Sequence, residues 1–152
     1  MSTTPVPTGP LRSTATAPVV SPVVTLADLP GRPCPIAASL EIVGERWSLL
    51  VIRELSLGSR RFTDIVAGTG APRDRIAARL KALVGAGVVE RRQYQSGPDR
   101  FEYHLTESGT ALLPALNALL TWGREYAVDP EDPDRDRYRS LRRPRRSTEE
   151  SS

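Results

Sequence analysis

Residues 60–106 constrain the fold most, because the spacing of their apolar side chains changes from helical to extended. A short helix is predicted to end at Gly70, and a second helix to begin at Pro72. Two strands are predicted at residues 88–95 and 101–106, and apolar and polar residues alternate in the second of them. The pattern predicts a mainly α fold with a small β-hairpin (α+β), arranged as a winged helix-turn-helix.

Positive charge is placed on the outer face of the second helix and on the hairpin. A helix for the major groove beside a β-wing is an arrangement that holds a protein on duplex DNA. Arginine forms bidentate contacts with phosphate and guanine, and aspartate can accept from the amine of cytosine. The alternatives are a solvated helix face with weak ion pairs, an edge hairpin protected by charge, and a solvated loop. The predicted DNA-binding residues are of three kinds. They are Arg73, Asp74, Arg75 and Arg79 on the second helix of the pair, Arg91, Arg92 and Arg100 on the hairpin, and Arg60 and Arg61 just before the first helix of the pair.

The two ends of the chain differ in composition from its middle. Residues 1–32 are mostly Ser, Thr, Pro, Ala and Val without a helical or strand period, and residues 127–152 are charged with few apolar side chains. Such segments cannot bury enough apolar surface to offset the entropy of ordering. Both are predicted to be disordered tails around a folded domain at residues 33–126. The basic run at residues 142–146 could attract DNA non-specifically or simply be a solvated end.

Apolar stripes predict helices at both ends of this domain. Spacings of three and four from Ile36 to Leu55 indicate one helix, or two helices joined near Gly44. The last helix carries apolar residues from Leu112 to Tyr126, a stripe wider than one neighbouring layer needs. Part of that stripe is therefore expected to pack against a second subunit.

Composition argues against several classes of protein. The 152 residues carry a net charge of +3, and Lys81 is the only lysine. One cysteine and one histidine exclude an internal disulfide framework and a structural zinc site. With no nucleophile–base–acid set and no phosphate-binding glycine loop, we expect neither an enzyme nor a cofactor. The absence of a secretory signal and of a long apolar run predicts a cytoplasmic protein that makes no membrane contact.

Several short sequence words occur together over the predicted domain: Cys34-Pro35, Gly44-Glu45-Arg46-Trp47-Ser48-Leu49-Leu50, Arg53-Glu54-Leu55, Gly58-Ser59-Arg60-Arg61-Phe62-Thr63, Arg79-Leu80-Lys81-Ala82-Leu83, Gly87-Val88-Val89-Glu90-Arg91, Tyr103-His104-Leu105-Thr106-Glu107-Ser108-Gly109 and Trp122-Gly123. Together they resemble the HxlR-type winged helix-turn-helix regulators of bacteria, a MarR-like family. The resemblance implies a homodimeric transcription factor with dimer contacts from the N-terminal and C-terminal helices. Ala71 departs from the Ser or Thr that the family often has before Pro72, which weakens the expected helix cap.

Cys34 is a candidate redox sensor. It lies at a predicted helix start with Arg32 nearby, and both the helix dipole and the cation favour a thiolate. The resemblance implies the same role, because several members of the family sense oxidants or electrophiles through a cysteine at this place. The alternative is a small apolar residue at the helix start. His104 is expected on the strand surface, and Trp47 and Trp122 in the core or the dimer interface.

These sequence patterns bear on three possible functions. The first is a dimeric, sequence-specific regulator of double-stranded DNA, a repressor responding to a small-molecule effector or a redox signal, with recognition helices about 34 Å apart. The second is a winged-helix protein-interaction module without specific DNA binding. Salt distinguishes the two, since phosphate contacts weaken as salt rises. The third, an enzyme, is disfavoured because Cys34 has no evident catalytic base.

Overall fold

Six helices and one hairpin make up residues 24–144, the part of the chain that the computed structural model describes. The hairpin is a two-stranded antiparallel sheet. A 3-10 turn at Leu26–Asp28 precedes the first helix, and a π-helical turn at Gly123–Ala127 follows the last. The helices are α1 (Pro35–Val43), α2 (Ser48–Ser56), α3 (Phe62–Thr69), α4 (Arg73–Gly85), α5 (Glu107–Thr110) and α6 (Leu113–Trp122), and the strands are β1 (Val89–Gln95) and β2 (Arg100–Leu105).

Local chemistry explains where these helices begin and end. Pro35 opens α1, where its missing amide needs no partner, and Cys34 Sγ accepts a hydrogen bond from the Ile36 amide at 3.4 Å. Gly44 lies in the break between α1 and α2, so the two-helix alternative holds. Gly70, with φ of 71°, ends α3 in the left-handed conformation and turns the chain into α4.

Helix α2 runs through the centre of the core. Val51, Ile52 and Leu55 are fully buried, and α3, α4 and α6 pack around this helix. Burial of each such side chain contributes about 1.5–3 kcal/mol. Because α3, α4 and the root of the hairpin share one core, their relative positions are set by packing. The other core residues are Val43, Ile65, Ala71, Ile76, Leu80, Leu83, Ala86, Val88, Val89, Leu113, Leu116 and Leu141.

The hairpin is fastened at its base to the helices on either side. Arg91 lies opposite Tyr103 in the register of the sheet. Thr106 Oγ1 donates to the Gly87 carbonyl at 2.6 Å, and the Tyr103 amide donates to the Arg60 carbonyl at 2.7 Å. The predicted winged helix-turn-helix is thus confirmed, with α3 and α4 as the helix pair and β1–β2 as the wing.

Residues 127–144 differ from the expectation of a disordered tail. Leu141 is only 7% exposed and joins the core. The Asn117 carboxamide donates to the Leu141 carbonyl at 3.0 Å and accepts from its amide at 2.6 Å. Arg124 Nη2 donates to the Tyr138 carbonyl at 2.7 Å. We call residues 129–144 the C-terminal strap. The composition of the strap does not reveal its docking, because one leucine and hydrogen bonds to its backbone hold it in place.

The two predicted tails are only partly within the described residues. Residues 24–32 contain the 3-10 turn at Leu26–Asp28, which contacts α1. Residues 1–23 and 145–152, which include Arg145 and Arg146 of the basic run, lie outside the described residues. The prediction of disorder there stays a prediction.

Asn117→Ala is expected to lower the free energy of unfolding by about 1 kcal/mol, because it removes both hydrogen bonds to the Leu141 backbone. Urea denaturation followed by circular dichroism measures the change. Thr121→Ala is the matched control, since within residues 24–144 that hydroxyl bonds only to the carbonyl of Asn117 in its own helix. The control should change stability by less than about 0.5 kcal/mol. A stability of Asn117→Ala equal to that of the parent would contradict a docked strap.

Candidate nucleic-acid interface

Helix α4 presents an exposed basic face over its first turn. Arg73, Asp74 and Arg75 are all exposed, and the Arg73 guanidinium lies 4.9 Å from the centroid of the Phe62 ring. Within residues 24–144, no carboxylate oxygen lies within 4 Å of an Arg73 or Arg75 side-chain nitrogen. The two guanidinium groups are therefore free to contact an anionic partner.

Arg79, one turn further along α4, forms an ion pair within the protein. Its Nε lies 3.6 Å from Glu45 Oε2, and both side chains are partly buried. Glu45 Oε2 also accepts from the Trp47 amide at 2.9 Å, which fixes the carboxylate in the turn between α1 and α2. Arg79 would have to leave Glu45 to contact another anion.

The two arginines before α3 have different surroundings. Arg60 Nη1 donates to the carbonyls of Leu55 and Ser59 at 2.9 and 2.8 Å, and burial lowers the pKa of its guanidinium. The Arg60 backbone carbonyl also accepts a hydrogen bond from the Tyr103 amide, so Arg60 joins the end of α2 to the wing. Arg61 is exposed, and its guanidinium lies 5.2 Å from the centroid of the Tyr94 ring. Of this pair, Arg61 is the one that faces solvent.

The wing carries one paired and two unpaired arginines. Arg92 Nε lies 3.0 Å from Glu90, and this hydrogen bond lowers the pKa of the Glu90 carboxyl and raises that of Arg92. The Arg91 guanidinium carbon lies 3.6 Å from the centroid of the Phe101 ring. In the described part of the chain, neither Arg91 nor the exposed Arg100 at the tip has a carboxylate within 4 Å.

The histidine of the wing behaves as a strand residue. His104 Nε2 lies 3.2 Å from Glu102 Oε2 on the same strand. Burial is the largest influence on its pKa and lowers it, and the contact with Glu102 opposes that change. The side chain is partly buried on the strand.

A buried carboxylate sets the position of α3 relative to α2. Glu54 is 7% exposed, and its Oε2 accepts from Arg53 Nε at 3.0 Å. Arg53 Nη2 also donates to the Gly68 carbonyl at 2.9 Å, near the end of α3. A Cβ on Gly68 would overlap the Glu54 carboxylate. These contacts hold the end of the helix that leads into the turn before α4.

Tyr94 is a residue of this surface that sequence reasoning missed. It is 38% exposed and lies at the bulge between Gln93 and Gln95, where the pairing with β2 shifts. Its ring stands beside the Arg61 guanidinium. The only signal in the sequence is an aromatic residue near the end of a polar strand.

Away from this surface, α1 and α6 leave large apolar side chains exposed. The free Cys34 at the start of α1 is partly exposed. Trp122 and Tyr126 pack against each other, with ring centroids 5.8 Å apart, whereas Trp47 packs on the core. The exposed apolar side chains are Ile36 (70%) and Leu40 (59%) on α1, and Leu119 (54%), Trp122 (58%) and Tyr126 (69%) on or after α6.

Residues 24–144 contain no group of three His, Cys, Asp or Glu side chains placed to hold a metal ion. None of the helices in this range combines the length and the apolar character that crossing a membrane requires.

A family model described as HxlR-like helix-turn-helix matches residues 42–131. An uncharacterized HTH-type transcriptional regulator of Mycobacterium tuberculosis (strain ATCC 25618 / H37Rv) is 45% identical over 98 residues, which are 64% of this chain. The matched segment spans 62% of that relative's length. Residues 42–131 include the helix-turn-helix and the wing.

Solved structures agree with this similarity. The structure of PA1607, named as a transcription factor, has a TM-score of 0.62 and 34% identity, covering 73% of this chain and 81% of that one. The reduced form of the transcriptional regulator YodB from B. subtilis has a TM-score of 0.54 and 32% identity, covering 65% of this chain and 98% of YodB. A diamide-treated form of YodB has also been solved.

Proposed function

Because the chain belongs to the HxlR-like helix-turn-helix family, we propose that it is a transcriptional regulator that binds double-stranded DNA sequence-specifically. The observation that carries the proposal is the exposed pair Arg73 and Arg75 on α4, with no carboxylate within 4 Å among residues 24–144. The second helix of a helix-turn-helix enters the major groove, where arginine contacts guanine and phosphate. Arg100 at the wing tip and Arg61 beside Tyr94 then contact the adjacent backbone.

The proposed regulator acts as a homodimer. A second subunit would cover the exposed apolar side chains on α1 and on or after α6. These side chains are Ile36, Leu40, Leu119, Trp122 and Tyr126. A two-fold axis through this surface would place two α4 helices about 34 Å apart, one turn of DNA, on a pseudo-palindromic site. Binding that blocks a promoter would make the protein a repressor.

Cys34 is the proposed point of redox regulation. Its Sγ caps α1, the helix whose Ile36 and Leu40 belong to the proposed dimer surface. Oxidation with one cysteine per subunit can form a disulfide only between subunits or with a small thiol, and either product would alter that surface. The solved reduced and diamide-treated forms of YodB make diamide a suitable probe.

A gel-shift titration tests the function, using DNA upstream of the protein's own gene and of its divergent neighbour. The expected result is selective binding that weakens as salt rises, since phosphate contacts release counterions. Salt-insensitive binding, or equal binding to scrambled DNA, would contradict the proposal and favour a protein-interaction module.

Adding diamide to the same titration tests the signal. Loss of the shifted band on oxidation, with recovery after thiol treatment, is expected for the parent. Cys34→Ser should bind DNA and ignore diamide, because it lacks the only thiol. Equal loss of binding in parent and Cys34→Ser would exclude Cys34 as the sensor and direct the search to a small-molecule effector.

A further inference from the structure

Three arginines of the candidate interface lie against aromatic rings. An arginine within about 6 Å of a ring centroid is attracted to the electron-rich face of that ring. The chain has two phenylalanines, and both take part in such a pair. The three pairs, with the distance from the guanidinium carbon to the ring centroid, are Arg61–Tyr94 (5.2 Å), Arg73–Phe62 (4.9 Å) and Arg91–Phe101 (3.6 Å).

Two of these rings lie outside the hydrophobic core. Phe62 packs against the core, which is reason enough for an aromatic residue at that position. Tyr94 is 38% exposed, and Phe101, although partly buried, does not pack against the core within residues 24–144. Core packing therefore does not account for Tyr94 and Phe101, and the arginines beside them are the contacts to be explained.

The register of the wing brings each ring to its arginine. Phe101 on β2 lies opposite Gln93, two residues from Arg91 on the same face of β1, and such diagonal neighbours are within reach of long side chains. Tyr94 lies at the bulge of β1, and its ring lies beside Arg61, which precedes α3. One pair thus spans the two strands of the wing, and the other joins the wing to the helix pair.

An aromatic ring restrains an arginine without neutralising it. The Glu90 carboxylate holds Arg92, but it also offsets the positive charge. A ring acts through its quadrupole and has no net charge, so the cation keeps its charge. Among residues 24–144, neither Arg61 nor Arg91 pairs with a carboxylate or donates a side-chain hydrogen bond. Their guanidinium N–H groups therefore remain available to an anion.

We propose that Tyr94 and Phe101 are positioning residues, whose rings hold the Arg61 and Arg91 guanidinium groups in place for the phosphate backbone of duplex DNA. A side chain that is restrained before binding loses less conformational entropy when it contacts a phosphate. The rings act through the arginines and make no contact of their own with DNA. The use of these arginines on DNA rests on the proposed function.

The first test needs no DNA, so that it stands apart from the proposed function. Protons above the face of an aromatic ring are shielded, so the side-chain NMR signals of Arg91 and Arg61 should be shifted upfield in the full chain. The Arg91 signals should return toward their usual positions in Phe101→Leu, and those of Arg61 in Tyr94→Leu. Arginine signals that are the same in parent and leucine variants would overturn the proposal.

The second test measures binding to duplex DNA over a range of salt concentrations. Phe101→Leu and Tyr94→Leu should each weaken binding about two- to tenfold, as freeing one side chain does. The dependence of log Kd on log salt should keep its slope, because every cation is still present. Arg91→Gln and Arg61→Gln should each reduce that slope by about one. Ring variants that bind DNA as the parent does would overturn the positioning role.

Double variants separate an effect through the arginine from a contact of the ring with DNA. In an Arg91→Gln background, Phe101→Leu should cause no further loss of affinity. Tyr94→Phe keeps the ring and should bind as the parent does. A further loss in the double variant, or a loss in Tyr94→Phe equal to that in Tyr94→Leu, would mean that the side chain contacts DNA itself and would overturn the assignment.

Tyr138→Leu is the matched control for the loss of an aromatic side chain. Tyr138 is 45% exposed on the C-terminal strap, and within the described residues no arginine guanidinium lies over its ring. This variant should bind DNA with unchanged affinity, and an equal loss in Tyr138→Leu would overturn the assignment to Tyr94 and Phe101. Absence of DNA binding by the parent, with the upfield shifts present, would contradict the proposed function and leave the restraint of the two arginines standing.

Discussion

Gly109→Ala is expected to lower the free energy of unfolding by about 1–3 kcal/mol, as overpacking a filled site does. Gly109 is buried in α5, and a Cβ there would overlap the Val88 carbonyl oxygen. That carbonyl cannot swing away freely, because it accepts from the Thr106 amide at 3.1 Å. The added Cβ would also lie 3.1 Å from Leu105 Cδ2.

Whether Gly109→Ala lowers or raises the free energy of unfolding distinguishes an effect of tertiary packing from an effect of helix propensity. In an open helix, alanine is favoured over glycine by about 1 kcal/mol. Gly85→Ala is the matched control, because it lies at the end of α4 and a Cβ there meets nothing within 4 Å. It should be neutral or stabilising. Urea denaturation of both variants measures the difference, and a loss of the same size in Gly85→Ala would contradict the packing explanation.

Arg75→Ala is expected to weaken operator binding by about 1–3 kcal/mol, tenfold or more, as the loss of one arginine contact to guanine does. Arg75 is exposed on the first turn of α4 and has no carboxylate within 4 Å inside residues 24–144. Among residues 24–144 its side chain forms no ion pair or hydrogen bond, so thermal unfolding should change little. The measurement is a titration on the operator and on scrambled DNA.

Arg137→Ala provides the comparison for charge alone. Arg137 is exposed on the C-terminal strap, where it pairs with Asp134 at 3.1 Å. Its removal changes the net charge by the same amount and should reduce affinity only slightly and equally for all DNA. If Arg75→Ala and Arg137→Ala weaken binding alike, Arg75 does not contact bases.

Much of the winged helix-turn-helix was predictable, because its signals are local. Apolar spacings of three and four marked the helices, alternation from Phe101 to Leu105 marked β2, and glycine or proline marked their ends. The strap was not predictable in this way, because Leu141 is a single apolar residue in a charged segment. Its docking depends on Asn117, which lies on a different element.

For the candidate interface, the sequence determined which residues carry positive charge and which helix face they share, because a helical period assigns faces without knowledge of the neighbours. Only the tertiary structure decided which of these charges are free. Arg79 pairs with Glu45 in the turn between α1 and α2. The Arg60 guanidinium donates to the carbonyls of Leu55 and Ser59. By contrast, Arg73 and Arg75 have no carboxylate within 4 Å among residues 24–144. The physical reason is that pairing depends on distances between elements, which packing of the core around α2 sets.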